Sequence, residues 1–491
     1  MTVRNGLVFL QQRYSEGMNH LSKGFEQCEA NLVHTGLIQG FGAVCRVSLK
    51  NETITHASEN FEELTGVKNP LGQKMNSVFG TEMTARLTGL SARTAFSERW
   101  KALTVFGRAE SDSLTVEIEP ASDLSQRYER FWLTKITDKN DADHKILNFI
   151  SSVSGFERIM LYEFLSDGTG CVTGEIYHGE GDRYLGLRYP ATDIPLTARN
   201  LYIQNSYRYI YDVSQSPVRI LMLPGMDSDS LDLTHITLRN VSPFHIEYLK
   251  NMGVGCAFSL SITFNGKLIG LFSIHSPKPK FLPYHLRENL VDAVRNYLQA
   301  LRTLEYAEKM KFIDRYKYLA DSFCRSVISG KYSTMPLSEI MKIMGASGLA
   351  VNIDGEWETF GKVKINEFIN RLKEEKADFR HPGIFSTDFA SGLLGEDSRS
   401  PAEESAGILC IWFRNRSSHK EIICVFVKPE AVQDVIWGSR TSHYPGNINP
   451  VNSFGRWKEK MYLHSEKWSR KAEHFAQGIL ASGLAVRAEE I

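Results

Sequence analysis

From Tyr284 to Phe323 the chain carries neither glycine nor proline. These are the two residues that most readily end a helix, one through backbone freedom and the other through a fixed φ and a missing N–H. The stretch therefore runs for many helical turns, longer than an ordinary globular helix, and reads as a spine joining two domains or as a dimer seam. Length agrees with a multidomain chain, since 491 residues correspond to roughly three domains of about 150 each. Lys+Arg and Asp+Glu both number 57, so the net charge is zero. That balance argues against a nucleic-acid partner, which would show a basic stripe. No run approaches the roughly 18 apolar residues of a membrane span, and Met1 to Gln11 lacks the apolar core and cleavage site of a signal peptide. Seven cysteines without CxxC or Cys/His spacing fit a reducing cytoplasm and argue against a disulfide scaffold and a zinc site. The expectation is a cytoplasmic chain with no membrane segment and no metal.

Three blocks follow along the chain. In the first, Gly42 to Leu49 and Thr53 to Ala57 read as strands, followed by a short helix that Gly66 stops. Asn60 and Glu63 have capping-box spacing at its start. Leu114 to Glu119 alternates as a half-buried strand, with Phe131 to Ile136 as its expected partner. In the second block, Arg158 to Phe164 and Val172 to Tyr177 form one hairpin signal. Cys256 to Phe264 and Lys267 to His275 form another across Asn265-Gly266. Even positions there are mostly apolar, whereas Ser259, Ser261, Thr263, Ser273 and His275 are odd. A strict two-residue turn would split these faces, so a one-residue bulge near Asn265-Gly266 is expected, with Ser259 and His275 on one polar face. A polar sheet face inside a domain implies a ligand pocket. The third block returns to mixed α/β, with strands at Cys410 to Phe413 and Ile422 to Val427. Its segment Trp437 to Ser453, rich in Gly, Pro, Asn and Ser, exceeds the usual loop length and reads as functional. From Phe454 onward the chain reads helical, with Phe475, Ile479, Leu480 and Leu484 on one stripe.

The densest constellation lies between residues 188 and 275. Arg188-Tyr189-Pro190-Ala191-Thr192-Asp193-Ile194-Pro195 sets an acid between two prolines, on a backbone stiffened from both sides. Arg239-Asn240-Val241-Ser242-Pro243-Phe244-His245-Ile246-Glu247-Tyr248 then brings Arg239, His245 and Tyr248 close together, the last two on adjacent helical turns.

This order of motifs resembles the phytochromes. Asp193-Ile194-Pro195, the Arg239 to Gly253 stretch and a strand ending in His275 are similar to their bilin pocket. Cys28 with His34 to Gly42 resembles the N-terminal motif of bacteriophytochromes, and Trp437-Gly438 with Pro450-x-x-Ser453-Phe454 resembles the hairpin tongue of the phytochrome-specific domain. The resemblance implies an α+β chain of three sensor domains with antiparallel sheets. They are a PAS domain 28–137, a GAF domain 138–305 and a PHY domain 306–470 with its tongue at about 428–456, flanked by an N-terminal extension 1–27 and a C-terminal output-linker helix 471–491.

It also implies a cofactor and roles. Phe244 stands where plant and cyanobacterial relatives carry the attachment cysteine, which leaves Cys28 to form a thioether with biliverdin, the other six cysteines being buried and unreactive. Arg208 and Arg239 are the implied propionate clamps, supported by Ser259, while Ala257 replaces a second family serine. Asp193 through its carbonyl and His245 through a water would hold the pyrrole N–H groups. An imidazole titrating near neutrality suits His245 to proton exchange. Tyr162, Tyr189, Tyr202 and Tyr248 would cage ring D, and His275 would bond its carbonyl. Red light would isomerise the bilin, and the tongue would refold and bias the helices. The tongue carries Val451 where the family pattern has arginine.

The implied function is a red/far-red photoreceptor, homodimeric through its GAF and PHY helices. It would act on an output domain absent from this chain or on a response regulator, and would not itself be an enzyme. The Phe475 to Leu484 stripe is a candidate coiled-coil relay. No nucleophile elbow, phosphate-cradling loop or His-Glu-x-x-His site is present. The rival reading is a light-independent GAF sensor of a cyclic nucleotide or other small ligand.

Overall fold

Residues 33–90, 96–121, 130–131, 135–165, 168–226, 231–363, 381–390, 404–438 and 457–486 are described by the structure, a computed structural model. Cys28, Pro450, Val451, Ser453 and Phe454 lie outside the described residues. The described chain divides into two compact units. One holds residues up to Leu301 together with Ile436–Gly438 and Trp457, and the other holds Arg302–Val435 and the residues from Lys458 onward.

The first unit begins with an antiparallel sheet ordered Leu37–Gln39, Pro217–Met222, Thr53–Ser58, Ala43–Ser48, Ser113–Pro120, Leu103–Ala109, Phe96–Trp100. Val47, Ile54, Phe61, Leu114, Val116 and Ile118 form its core. Two expectations change here. The partners of Ser113–Pro120 are Ala43–Ser48 and Leu103–Ala109 rather than 131–136. Phe131 instead joins the core of the next domain, 4.8 Å from the ring of Phe149. The strand is also buried on both faces. Leu114, Val116 and Ile118 face the domain's own core, while Thr115, Glu117 and Glu119 are buried as well, because residues 237–238 and the start of the long helix contact that second face. Asn60 does not cap the helix Phe61–Thr65. Its Nδ2 donates to the carbonyls of Gly40 and Gly42 at 3.2 and 2.8 Å, tying down the turn that precedes Ala43–Ser48. The helix does end at Gly66, in the left-handed conformation with φ 74°, which glycine adopts without a Cβ clash.

The strand Leu37–Gln39 connects this domain to the next. It pairs with Pro217–Arg219 and is bound on its other side by Gln39 N to Leu238 O at 2.7 Å and Asn240 N to Leu37 O at 3.0 Å. The Gln39 side chain donates to Tyr209 O at 2.8 Å and accepts from Tyr211 N at 3.2 Å.

The second sheet runs Tyr207–Ile210, Cys256–Phe264, Lys267–Ser276, Arg158–Phe164, Gly170–Tyr177, Arg188–Tyr189. Helix Lys139–Ser154, capped by Asp138 accepting from Asp141 N and closed by Gly155, packs Ile146, Leu147 and Ile150 into its core. Asn265 and Gly266 both have positive φ, 50° and 75°, the conformation of a two-residue hairpin turn. The expected bulge lies three residues past the turn. Thr263 pairs with Leu268 but Ile262 with Gly270, leaving Ile269 unpaired. That extra residue restores parity, so Ser259 faces Ser273 across the strands, and His275, opposite Ala257, shares their face. At the far edge, Trp437 pairs in parallel with Arg188, and Gly438 N donates to Arg188 O at 2.9 Å.

Tyr284–Ser329 is one helix of 46 residues, about 69 Å at 1.5 Å per residue. In the second unit a five-stranded antiparallel sheet runs Glu356–Gly361, Gly348–Ile353, Glu421–Lys428, Gly407–Arg414, Gly383–Thr387. The expected helix from Phe454 is corrected, because Trp457–Met461 is a strand and the helix is Arg470–Ala485. Its apolar stripe is used internally. Phe475 and Ile479 are buried with Phe323, Leu409 and Phe426, and Leu480 and Leu484 pack against them, which removes the stripe as a free coiled-coil seam.

Candidate functional site

The polar face of the second sheet forms the floor of a cleft enclosing about 1430 Å³, part of it open to solvent. All twelve expected pocket residues described by the structure line it: Tyr162, Tyr189, Asp193, Ile194, Pro195, Tyr202, Arg208, Arg239, His245, Tyr248, Ser259 and His275. Of the expected tongue residues, Trp437 is described and lies outside the cleft, beside Arg188.

The local sequence explains the convergence. Strand register places Arg208 beside Ser259, Ser259 beside Ser273, and Ser273 beside Met160. Helix Pro243–Asn251 starts with proline in its first turn, where the missing N–H costs nothing. Three positions apart on it, the rings of His245 and Tyr248 lie 6.1 Å from each other and nearly parallel. Pro190 and Pro195, both at φ −66°, bracket the single turn Ala191–Asp193, and Tyr248 donates to Asp193 Oδ2 at 3.4 Å. Tyr162 lies over Gly170, where any Cβ would enter its ring, and the ring of Tyr189 backs onto Gly438.

Burial sets the charge states. His275 is pushed down to about 3 by burial, with Arg158 and His245 adding to the shift, and His245 to about 4 by burial and Arg208. Both imidazoles are therefore neutral at neutral pH, which corrects the expectation that His245 titrates there. Arg208 falls to about 9 through burial and the neighbouring Arg239. Burial raises the phenols of Tyr189 and Tyr248. Arg208 does not point at an acid. Its Nη1 donates to Thr237 O at 3.2 Å and its Nη2 to the carbonyls of Arg239 and Asn240.

Two buried polar atoms of the lining, His275 Nδ1 and Ser242 Oγ, have no hydrogen-bond partner among the described residues. Buried polar groups are normally satisfied, so these atoms fit a polar ligand, and the two arginines fit one that carries carboxylates. Among the described residues no group of three or more His, Cys, Asp or Glu could hold a metal ion, and no helix is long and apolar enough to cross a membrane. Cys45, Cys256, Cys324, Cys410 and Cys424 are buried, with thiols held above the usual range by burial. Cys171 is only half-buried, so the expectation of six buried thiols holds for five.

Several residues that serve the cleft were not anticipated. Arg199 donates to Ile194 O and Gly168 O, each at 2.7 Å, and so pins the Asp193–Pro195 turn. Ser273 lies 3.0 Å from His275 Nε2. It shares the odd-numbered face already inferred from the hairpin, so its position was available from parity. For Arg199, whose partners are backbone carbonyls, the sequence carries no signal.

Comparison with known proteins assigns the family. A PAS fold matches residues 28–119, a GAF domain 142–296 and the phytochrome region 326–488. The chain belongs to the phytochromes. It is a PAS–GAF–PHY module of that photoreceptor family. Cyanobacterial phytochrome B of Nostoc sp. is 32% identical over 65% of this chain and 44% of its own length. A bacteriophytochrome of Pseudomonas aeruginosa is 29% identical over 90% of this chain and 64% of its own. The chain thus spans about half to two thirds of these phytochromes. The photosensory core module of the Stigmatella aurantiaca phytochrome superposes with a TM-score of 0.76 at 26% identity, covering 94% of this chain and 98% of that one. A bacteriophytochrome of R. palustris shares the fold, with a TM-score of 0.76 at 24% identity over 94% and 99%.

Proposed function

We propose that the chain is a red/far-red photoreceptor whose GAF cleft holds biliverdin, linked through a thioether to Cys28. The observation that carries this is the convergence on one cleft of the two expected arginines, two neutral histidines and the four expected tyrosines. Biliverdin, when bound, supplies red-light absorption and a methine bridge that isomerises between its C and D rings. The protein's residues bind and orient it. Arg208 and Arg239 provide positive charge for two propionates, with Ser259 offering a hydroxyl beside Arg208. Asp193, through its carbonyl, and His245 would hold the pyrrole N–H groups. His275, neutral and with Nδ1 lacking a partner among the described residues, is suited to donate to the ring-D carbonyl, since Ser273 lies on its other nitrogen. Tyr162, Tyr189, Tyr202 and Tyr248 bound the space in which that ring turns.

Tyr189 connects the cleft to the tongue. Its ring packs on Gly438, and its neighbour Arg188 pairs with Trp437. A displaced Tyr189 is therefore felt at the segment leading to Pro450, Ser453 and Phe454. The tongue biases the long helix, and a homodimer formed through the GAF and PHY helices relays the change to an effector or response regulator. In this reading the chain itself performs no catalysis, and it works in the cytoplasm. The test is addition of biliverdin to the purified chain, followed by denaturing electrophoresis with zinc fluorescence. The wild-type chain is expected to give a fluorescent covalent band and Cys28→Ser none. A covalent band in Cys28→Ser would refute the attachment, and a wild-type chain that stays colourless would refute the function.

A further inference from the structure

We propose that Glu117, a PAS-domain residue outside the cleft, is a positioning residue for the cleft's arginines, acting through the segment Thr237–Asn240. The proposal rests on the reading that the cleft takes a carboxylate-bearing pigment. Glu117 belongs to strand Ser113–Pro120 and is 6% exposed. Its Oε2 accepts from the Thr237 hydroxyl at 2.6 Å and from Leu238 N at 2.9 Å. Leu238 O accepts from Gln39 N at 2.7 Å, so this residue is gripped through both of its backbone polar groups.

On either side of Leu238, Thr237 and Arg239 line the cleft. The carbonyls of Thr237, Arg239 and Asn240 receive the Arg208 guanidinium. The carboxylate therefore holds the peptide group whose carbonyl, Thr237 O, receives Arg208, and stands one residue from Arg239, whose carbonyl receives it too. A buried carboxylate is an expensive way to fill space. Here burial pushes it up to about 7 against the lowering effect of its two donors. Glu119, two residues on, has Arg287 as its counter-ion, whereas Glu117 is held by neutral donors. An apolar side chain at 117 would leave the Leu238 amide and the Thr237 hydroxyl unsatisfied in the interior, and the segment would shift to find new acceptors. Because one oxygen takes both donors, glutamine can reproduce the arrangement without the charge.

The test is the rate of biliverdin assembly, read from growth of the red absorption band, in wild type, Glu117→Leu and Glu117→Gln, each also in an Arg208→Ala background. E117L is expected to assemble about tenfold more slowly, E117Q within about twofold of wild type, and the E117L effect is expected to shrink to the part carried by Arg239 once Arg208 is gone. In the pigment-free chain, hydrogen exchange at the Leu238 amide is expected to quicken in E117L and stay protected in E117Q. Should E117L not fold, Glu117→Asp, which withdraws the oxygens by one methylene, carries the same comparison with E117Q. An E117L chain that assembles at the wild-type rate would overturn this inference alone. So would an equal slowing with and without Arg208. A wild-type chain that takes up no pigment would overturn it together with the function on which it rests.

Discussion

Glu119 and Arg287 form an ion pair whose side chains are 1% and 0% exposed. The guanidinium carbon lies 5.5, 5.1 and 5.6 Å from the ring centres of Tyr207, Tyr209 and Tyr284. In Glu119→Gln the guanidinium loses its counter-ion and cannot shed its proton. Breaking such a pair from one side costs about 3–5 kcal/mol, and the surrounding ring faces return part of that, leaving about 3 kcal/mol. At about 2–4 °C per kcal/mol for a domain of this size, the melting temperature is expected to fall by about 6–12 °C. Arg287→Met has a different cost, because a carboxyl can neutralise itself by taking up a proton. Burial raises the Glu119 carboxyl above the usual carboxylate range even with Arg287 present, and further without it. A group whose folded pKa exceeds its unfolded one stabilises fully below the unfolded value and loses that contribution as pH rises through the folded one. R287M is therefore expected to approach wild-type stability near pH ~5 and to fall away toward pH ~8. The double variant Glu119→Leu/Arg287→Met buries no charge and is expected within about 1 kcal/mol of wild type. Differential scanning calorimetry at the two pH values reads all three. A Glu119→Gln chain that melts within about 2 °C of wild type, or a double variant that falls as far as Glu119→Gln, would refute the reasoning.

Three further predictions concern the cleft and the C-terminal helix. Because His275 is pushed down to about 3, the unfolded chain takes up its proton first as pH falls through about 6.5, and stability declines from there toward pH 3. In His275→Gln that decline is expected to be shallower, by about 5 kcal/mol at its full extent, in urea midpoints measured against pH. Gly170→Ala drives a Cβ into the Tyr162 ring. It is expected to cost about 1–3 kcal/mol and to shift the red band of the pigmented chain, whereas an unchanged spectrum would separate Tyr162 from the cleft's function. Asn415, fully buried, donates to Gly483 O at 2.7 Å and Val486 O at 3.1 Å while accepting from the amides of Ser417 and Ser418. Asn415→Ala is expected to cost about 3 kcal/mol and to speed hydrogen exchange in the last turn of Arg470–Ala485.

What could be read from the sequence was what depends on local periodicity. The hairpin across Asn265-Gly266 has a turn dipeptide and alternating strands, and the mismatch between them required the extra residue now found at Ile269. The two-proline turn and the His245/Tyr248 spacing are likewise local, and the family resemblance supplied the remaining lining residues. What stayed hidden depends on partners distant in sequence. Asn60 has the spacing of a cap yet bonds Gly40 and Gly42, because two carbonyls from a neighbouring turn compete for its amide. Ser113–Pro120 alternates like a half-exposed strand, but its polar positions are buried against Thr237, Leu238 and Arg287. The low pKa of His245 follows from burial and Arg208, 37 residues earlier in the chain. The stripe of Arg470–Ala485 is amphipathic as read, but amphipathicity does not say whether a helix covers its own core or that of a partner.

The most direct test is a light-minus-dark difference spectrum of the biliverdin-loaded chain under alternating red and far-red illumination. The account predicts two bands of opposite sign that exchange reversibly, because on the proposed function the cleft would hold the pigment and leave one ring free to turn among the tyrosines. A loaded chain whose spectrum is identical under both illuminations would contradict it.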